Sequence, residues 1–243
     1  MYLNDKTMKK VIHKAENRGF ADHGWLKAAH SFSFANYYSP DKTHFGLLRV
    51  LNDDIVAPGM GFGNHGHDNM EIVTIPLKGA LAHKDSLGSS GTIEYGEVQI
   101  MSAGSGIQHS EFNASAKEEV NLLQIWVFPK QRNITPRYDQ RRFDPEKGIN
   151  KFQLLVSPHE SDETMWINQD AYFSLGDIEA GQTLTYEVKK AGNGAYVFVI
   201  DGDAGIAEEN LTRRDALGIF NTEKFDVKAN TRSKVLVIDV PME

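Results

Sequence analysis

Along most of this chain, apolar and β-branched residues gather in short runs separated by polar turns. The runs are FGLLRVL (45 to 51), EIVTIPL (71 to 77), EVQIM (97 to 101), NLLQIWVF (121 to 128), KFQLLVS (151 to 157), TLTYEV (183 to 188), AYVFVI (195 to 200) and KVLVIDV (234 to 240). Each has the length of a β-strand, and none sustains the 3.6-residue recurrence of a long amphipathic helix. Turn chemistry falls between them: Gly79 in LKGA, Asp85 to Gly91 in DSLGSSG, Ala103 to Gly106 in AGSG, and Ile200 to Gly205 in IDGDAG. The pattern predicts an all-β fold of antiparallel meanders. Pro76 removes one ladder donor from its run, which marks that segment as an edge or bulged strand.

The stretch from Pro129 to Gly148 is polar, holds three prolines and shows no strand pattern. It is the best candidate for a connection between two lobes, with the boundary near residue 140, giving an N-terminal barrel over 1–140 and a C-terminal barrel over 141–243. Each half ends in an apolar strand after a turn-rich meander, which suggests a duplicated barrel without a strict repeat. At 243 residues, with 40% apolar residues, either arrangement can bury a real core.

The chain has no cysteine, so disulfides, thiolate metal sites and cysteine nucleophiles are excluded together, and any metal must sit on His, Asp or Glu. The opening MYLNDKTMKKVIHKAENRGF has no apolar stretch of signal-peptide length, and no long apolar run follows, so a cytoplasmic address without membrane contact is expected. A net charge of -7 disfavours autonomous nucleic-acid binding. Around Arg137, Arg141 and Arg142, the acids Asp139, Asp144 and Glu146 are interleaved, which suits surface or inter-lobe ion pairs better than a phosphate site.

His13, His23, His30, His44 and His159 form no group by spacing. His65 and His67 are an HxH pair, and residues two apart on a strand project from one face. In AGSGIQHSEFN, His109 and Glu111 repeat that spacing. If the two strands are neighbours in one barrel, three imidazoles and a carboxylate converge, a donor set for Fe, Ni, Mn, Co, Cu or Zn. Other motifs carry less. Gly59, Gly61 and Gly63 lead into no helix, so they read as a turn entering the barrel rather than a dinucleotide loop. There is no GxSxG elbow and no GxxxxGK[ST] loop. Trp25, Phe32, Phe34, Tyr37 and Tyr38 read as ordinary packing before a ligand cavity.

Four stretches, RGFADHGWLKAAHSFSFANYYSP, LRVLNDDIVAPGMGFGNHGHDNMEIVTIPLKGALAHKDSLG, GEVQIMSAGSGIQHSEFN and QIWVFPKQRNITPRYDQRRFD, give the chain a resemblance to the pirin family of the cupin superfamily, in its quercetinase-like bacterial form. The first cupin motif is recognisable in Gly59, His65, His67 and Glu71, with its last glycine one residue late at Gly79. In pirin-like proteins the acidic ligand comes from the second motif, so the resemblance gives that role to Glu111 and leaves Glu71 a supporting or structural one. It implies a bicupin, two stacked antiparallel jelly-roll barrels, with metal ligands only in the first.

The resemblance also implies an activity: a metal-dependent dioxygenase of the quercetin 2,3-dioxygenase type that opens a flavonol ring with O2 and releases CO. The implied cofactor is one divalent transition metal, iron(II) foremost, with a small phenolic substrate and Glu111 as its proton acceptor. Eukaryotic pirins act as iron-dependent co-regulators of transcription, which implies the alternative of a non-catalytic metal or redox sensor acting through a protein partner.

Overall fold

The computed structural model describes residues 7–243; the first six, part of the segment read for a leader, lie outside the described residues. Among the described residues there are twenty-two strands, two short 3-10 helices (Ala15–Asn17 and Pro145–Gly148) and no α-helix. None of those helices is long and apolar enough to cross a membrane.

The strands form two seven-stranded and two four-stranded sheets. In the N-terminal half the large sheet runs in the order Arg137–Arg142, Glu97–Ser102, Glu71–Lys78, Val120–Val127, Leu48–Val56, Leu26–His30, Gly19–Asp22. It closes a barrel with the small sheet Gly61–His67, Ile107–Asn113, Ala80–Asp85, Ser90–Glu94. The C-terminal half repeats the plan, and its large sheet takes its first strand, Lys9–His13, from the chain's N-terminal end, paired antiparallel with Ala216–Phe220. No local pattern in the sequence announces that pairing, because the partners are about two hundred residues apart.

The largest core lies between the two seven-stranded sheets, where Leu51, Val73, Ile100, Leu123 and Ile125 meet Phe173, Tyr196, Phe198, Leu236 and Ile238. Strand parity then fixes what enters the first barrel. On Val120–Val127, the odd positions Leu123, Ile125 and Val127 face the other half, so Val120, Leu122, Gln124 and Trp126 face inward. On the neighbouring strand the residues opposite them are Val56, Asp54, Asn52 and Val50. The inner face therefore changes along the barrel from apolar, with Val56, Val120, Leu122, Leu81 and Ile93, to polar, with Asp54, Asn52 and Gln124.

Two expectations need correction. The segment after Pro129 does contain a strand, Arg137–Arg142, paired along its length with Glu97–Ser102. It has no hydrophobic alternation because it is a sheet edge with all six residues at least partly exposed, and charge at an edge discourages pairing with another chain. Its arginines serve the fold: Arg137 stacks on Trp166 at 4.9 Å, Arg141 donates to backbone carbonyls of residues 161, 162 and 164, and Arg142 pairs with Glu94 at 2.6 Å. Pro76 lies not at an edge but in a central strand. The bulged alternative holds instead: Asn121 and Leu122 pair with Lys78 and Pro76, leaving Leu77 as the extra residue beside Pro76, and the missing donor is tolerated because the Glu97–Ser102 partner has already diverged after Thr74.

The two halves are also joined by a buried ion pair. Arg214, in a left-handed backbone conformation (φ 69), reaches Asp53 at 2.7 Å and donates to Asn121 at 3.0 Å and to the Ile200 carbonyl. Removing one partner of such a pair strands the other charge. Arg214→Met should destabilise the protein by about 3 kcal/mol, the low end for buried pairs, because Arg18 and Asn121 still touch Asp53. Adding Asp53→Leu should restore most of the loss in urea unfolding; a single-variant loss below about 1 kcal/mol contradicts this reading.

Candidate metal centre

Gly61–His67 and Ile107–Asn113 are antiparallel neighbours, with His65 directly opposite His109 and His67 opposite Ile107. His65 and His67 share a face by strand parity, so three imidazoles meet: ring centroids are 4.3 Å apart for His65 and His109 and 4.9 Å for His67 with each of the others. A bulge between His109 and Glu111 shifts the register, placing Glu111 opposite Phe62. Gly61 is required for this approach, since a side-chain carbon there would strike the Glu111 carbonyl.

One nitrogen from each of His65, His67 and His109 falls within 4.8 Å of the others. The Nδ1 of His65 lies 2.8 Å from the Gly63 carbonyl, which can only accept, so Nδ1 carries the proton and Nε2 keeps its lone pair. Neither ring nitrogen of His109 has a partner although the residue is buried. Burial, reinforced by neighbouring imidazoles, pushes His109 down to about 3, and burial with His65 pushes His67 down to about 4. His67 and His109 are therefore neutral near pH 7, the form in which imidazole binds metal. Three imidazole donors within reach of one point, one of them otherwise orphaned in the interior, fit an intermediate divalent transition metal.

Glu111 stands beside this triad rather than among its closest atoms. Both carboxylate oxygens accept from Gln124 Nε2, at 3.0 and 2.9 Å, and burial raises its carboxyl to about 7, against the opposing pull of that hydrogen bond. It lines the same cavity, about 230 Å³, as His65, His67, Gln124, Trp126 and Asp54. Glu71 does different work. Its Oε2 accepts from Ser102 Oγ at 2.8 Å and from the Asn168 backbone N–H at 3.1 Å, tying the first half to the second.

Three residues escape a reading based on HxH and HxE pairs. His83 is buried opposite Glu111, its ring 5.4 Å from that of His109 and stacked on Tyr138 at 4.6 Å, with neither nitrogen bonded. Its spacing to Asp85 repeats the two-residue interval of the other pairs and is the signal that could have found it. Gln124 and Asp54 carry no such signal, the first being a single polar residue inside an apolar run and the second the last of the polar triplet Asn52, Asp53 and Asp54. The aromatic group around Trp25 divides: Phe32 is core, Tyr38 is exposed, Trp25 packs on Phe62, and Phe34 and Tyr37 line cavities at the site.

Two barrels of this topology in one chain, the first holding a cluster of histidines on facing strands, define a bicupin. A family profile described as Pirin matches residues 11–127, and one described as the quercetinase C-terminal cupin domain matches residues 154–240. The chain belongs to the pirin family. It is 40% identical over 230 residues to the quercetin 2,3-dioxygenase of Escherichia coli K12, covering 95% of this chain and 98% of that protein. It is also 40% identical over 225 residues to a pirin-like protein of Caulobacter vibrioides, covering 91% and 95% respectively. The crystal structure of YhhW from Escherichia coli superposes with a TM-score of 0.92 at 39% identity, over 96% of this chain and 98% of that one. A structure of the bacterial pirin YhhW in complex with nickel(II) superposes with a TM-score of 0.91 at 39% identity, over 96% and 99%.

The buried setting of Glu71 has a measurable consequence. Burial raises its carboxyl from 4.5 to about 7 against the opposing hydrogen bonds from Asn168 and Ser102. The folded state thus holds this proton more tightly than the unfolded chain, and the resulting stability is complete below pH 4.5 and lost as pH rises through 7. Relative to Glu71→Gln, which mimics the protonated form at every pH, the wild type should lose roughly 3 kcal/mol between those limits. Denaturant titrations of both proteins across that range check this, and a constant difference contradicts it.

Proposed function

We propose that the protein is a metal-dependent dioxygenase of the quercetin 2,3-dioxygenase type, opening the central ring of a flavonol with O2 and releasing CO. One divalent metal, iron(II) foremost and nickel(II) next, is held by His65, His67, His109 and Glu111 in the half spanning residues 1–140, with the 141–243 half as a structural partner. The observation that carries this reading is a histidine triad whose His65 and His67 line the same cavity as the buried Glu111 carboxylate. The relatives support the chemistry: one is called quercetin 2,3-dioxygenase, and another is a bacterial pirin in complex with nickel(II).

Bound there, a divalent metal supplies Lewis acidity that makes a substrate hydroxyl easier to deprotonate. The chain does the rest. Glu111, a buried carboxylate on the cavity wall, takes the proton from the flavonol hydroxyl oxygen as general base. Gln124 fixes the carboxylate through its two contacts, so the acceptor oxygens are positioned before substrate enters. Phe34, Phe62 and Trp126 give the cavity flat apolar walls that accept a planar aromatic substrate and exclude water from the electron-rich anion.

Glu111→Gln keeps the size of the side chain and one oxygen but loses the base. At equal metal occupancy, kcat for loss of flavonol absorbance, with matched O2 uptake and CO release, should fall at least about a hundredfold. Equal rates would leave Glu111 without a role in proton transfer. An absence of turnover by the wild type with every metal tested would favour a sensor that works through a protein partner.

A further inference from the structure

The cavity at the histidines is small for a drug-sized ligand: its volume of about 230 Å³ falls below the usual range of about 300 to 1,000 Å³. A second chamber of about 390 Å³ adjoins it, reaching toward His30, Tyr37 and Leu26. The two share one wall, made of Phe34, Asn52, Asp54 and Phe62. A flavonol is likewise in two parts, a fused bicycle carrying the reacting hydroxyl and a pendant aryl ring joined beside it. With the bicycle at the histidines, the pendant ring falls at the shared wall.

Asp54 is the unusual member of that wall. Its residue is 4% exposed, and its Oδ1 is buried with no hydrogen-bond partner. Its neighbours are committed elsewhere: the Asn52 side chain is engaged by His30 Nδ1 at 2.9 Å, and Asn121 donates to the backbone carbonyl of Asp54, not to its side chain. A buried carboxyl with one oxygen unpaired costs stability, and an apolar residue at this strand position would continue the neighbouring apolar face of Val56 and Leu122. The group is explained if a ligand completes it.

We propose that Asp54 holds a hydroxyl of the pendant ring in this second chamber and thereby selects flavonols whose pendant ring is hydroxylated. The proposal takes the identity of the substrate from the dioxygenase reading, but binding rather than turnover decides it. Quercetin carries two adjacent hydroxyls on that ring and galangin none, with the bicycle otherwise the same.

The test is anaerobic titration of the zinc(II)-loaded full chain with each flavonol, read by tryptophan fluorescence. A ligand hydroxyl that completes the otherwise unpaired Asp54 Oδ1 removes the penalty of a buried unsatisfied atom, so the wild type should bind quercetin at least about tenfold more tightly than galangin. Asp54→Leu should bring that ratio close to one by weakening quercetin, with galangin changed by less than about threefold. Asp54→Asn, which keeps an acceptor oxygen, should retain part of the preference. Melting temperature reports folding, Asp54→Leu should melt no lower than wild type, and Asp54→Ala is the second apolar variant should it not fold. A wild type that binds both flavonols equally or binds neither, or an apolar variant that keeps the preference, overturns the proposal. Selective binding without aerobic turnover defeats the dioxygenase reading alone, and turnover with a ratio indifferent to Asp54 defeats this proposal alone.

Discussion

The interior of the first barrel contains buried polar atoms that the chain itself does not pair. Asp54 Oδ1, Thr74 Oγ1, Gln124 Oε1 and both ring nitrogens of His83 and His109 lack hydrogen-bond partners. Each such group costs of the order of 1 to 3 kcal/mol when nothing completes it, so a fold that carries several requires compensation from elsewhere or from a ligand. This requirement separates the two barrels. Between the sheets of the second barrel lie Ile178, Val197, Val199, Leu217, Ile219, Val227, Val235 and Val237, an apolar filling with no comparable demand.

Compensation comes from the packing around the site. The core shared by the two seven-stranded sheets fixes the strands Leu48–Val56 and Val120–Val127, whose opposite faces carry Asp54 and Gln124. Glu71, Arg137 and Arg214 cross between the halves and hold one against the other. That frame keeps the His109 imidazole in place without a partner and the Glu111 carboxylate in place against the Gln124 amide, the condition for binding a metal or substrate without reorganisation.

Much of this was legible in the sequence, for physical reasons that also mark where reading stops. Alternation and turn residues identify strands such as 71–77 and 121–128 because one face of each must be apolar, and the i, i+2 spacing of His65 with His67 and of His109 with Glu111 needs only strand parity to be informative. The strand Arg137–Arg142 has no apolar face, so its existence depends on a partner that no local pattern reveals. Lys9–His13 joins the far half for the same reason. Asp54 and Gln124 are hidden in another way: a polar triplet such as 52–54, or a lone polar residue in an apolar run, reads as solvent-facing, and only the barrel's closure turns those side chains inward. The convergence of His109 with His65 depended on the Ile107–Asn113 and Gly61–His67 strands being neighbours, which was assumed from spacing and is observed in the register.

The central claim is that His65, His67 and His109 bind one metal together. X-ray absorption at the metal edge of chelator-stripped protein reloaded with nickel(II), combined with elemental analysis after gel filtration, measures this directly. The account predicts close to one metal per chain with scattering from three imidazoles, falling to two in His109→Ala. Metal lost on gel filtration, or retained with fewer than two imidazoles in the wild type, would contradict it.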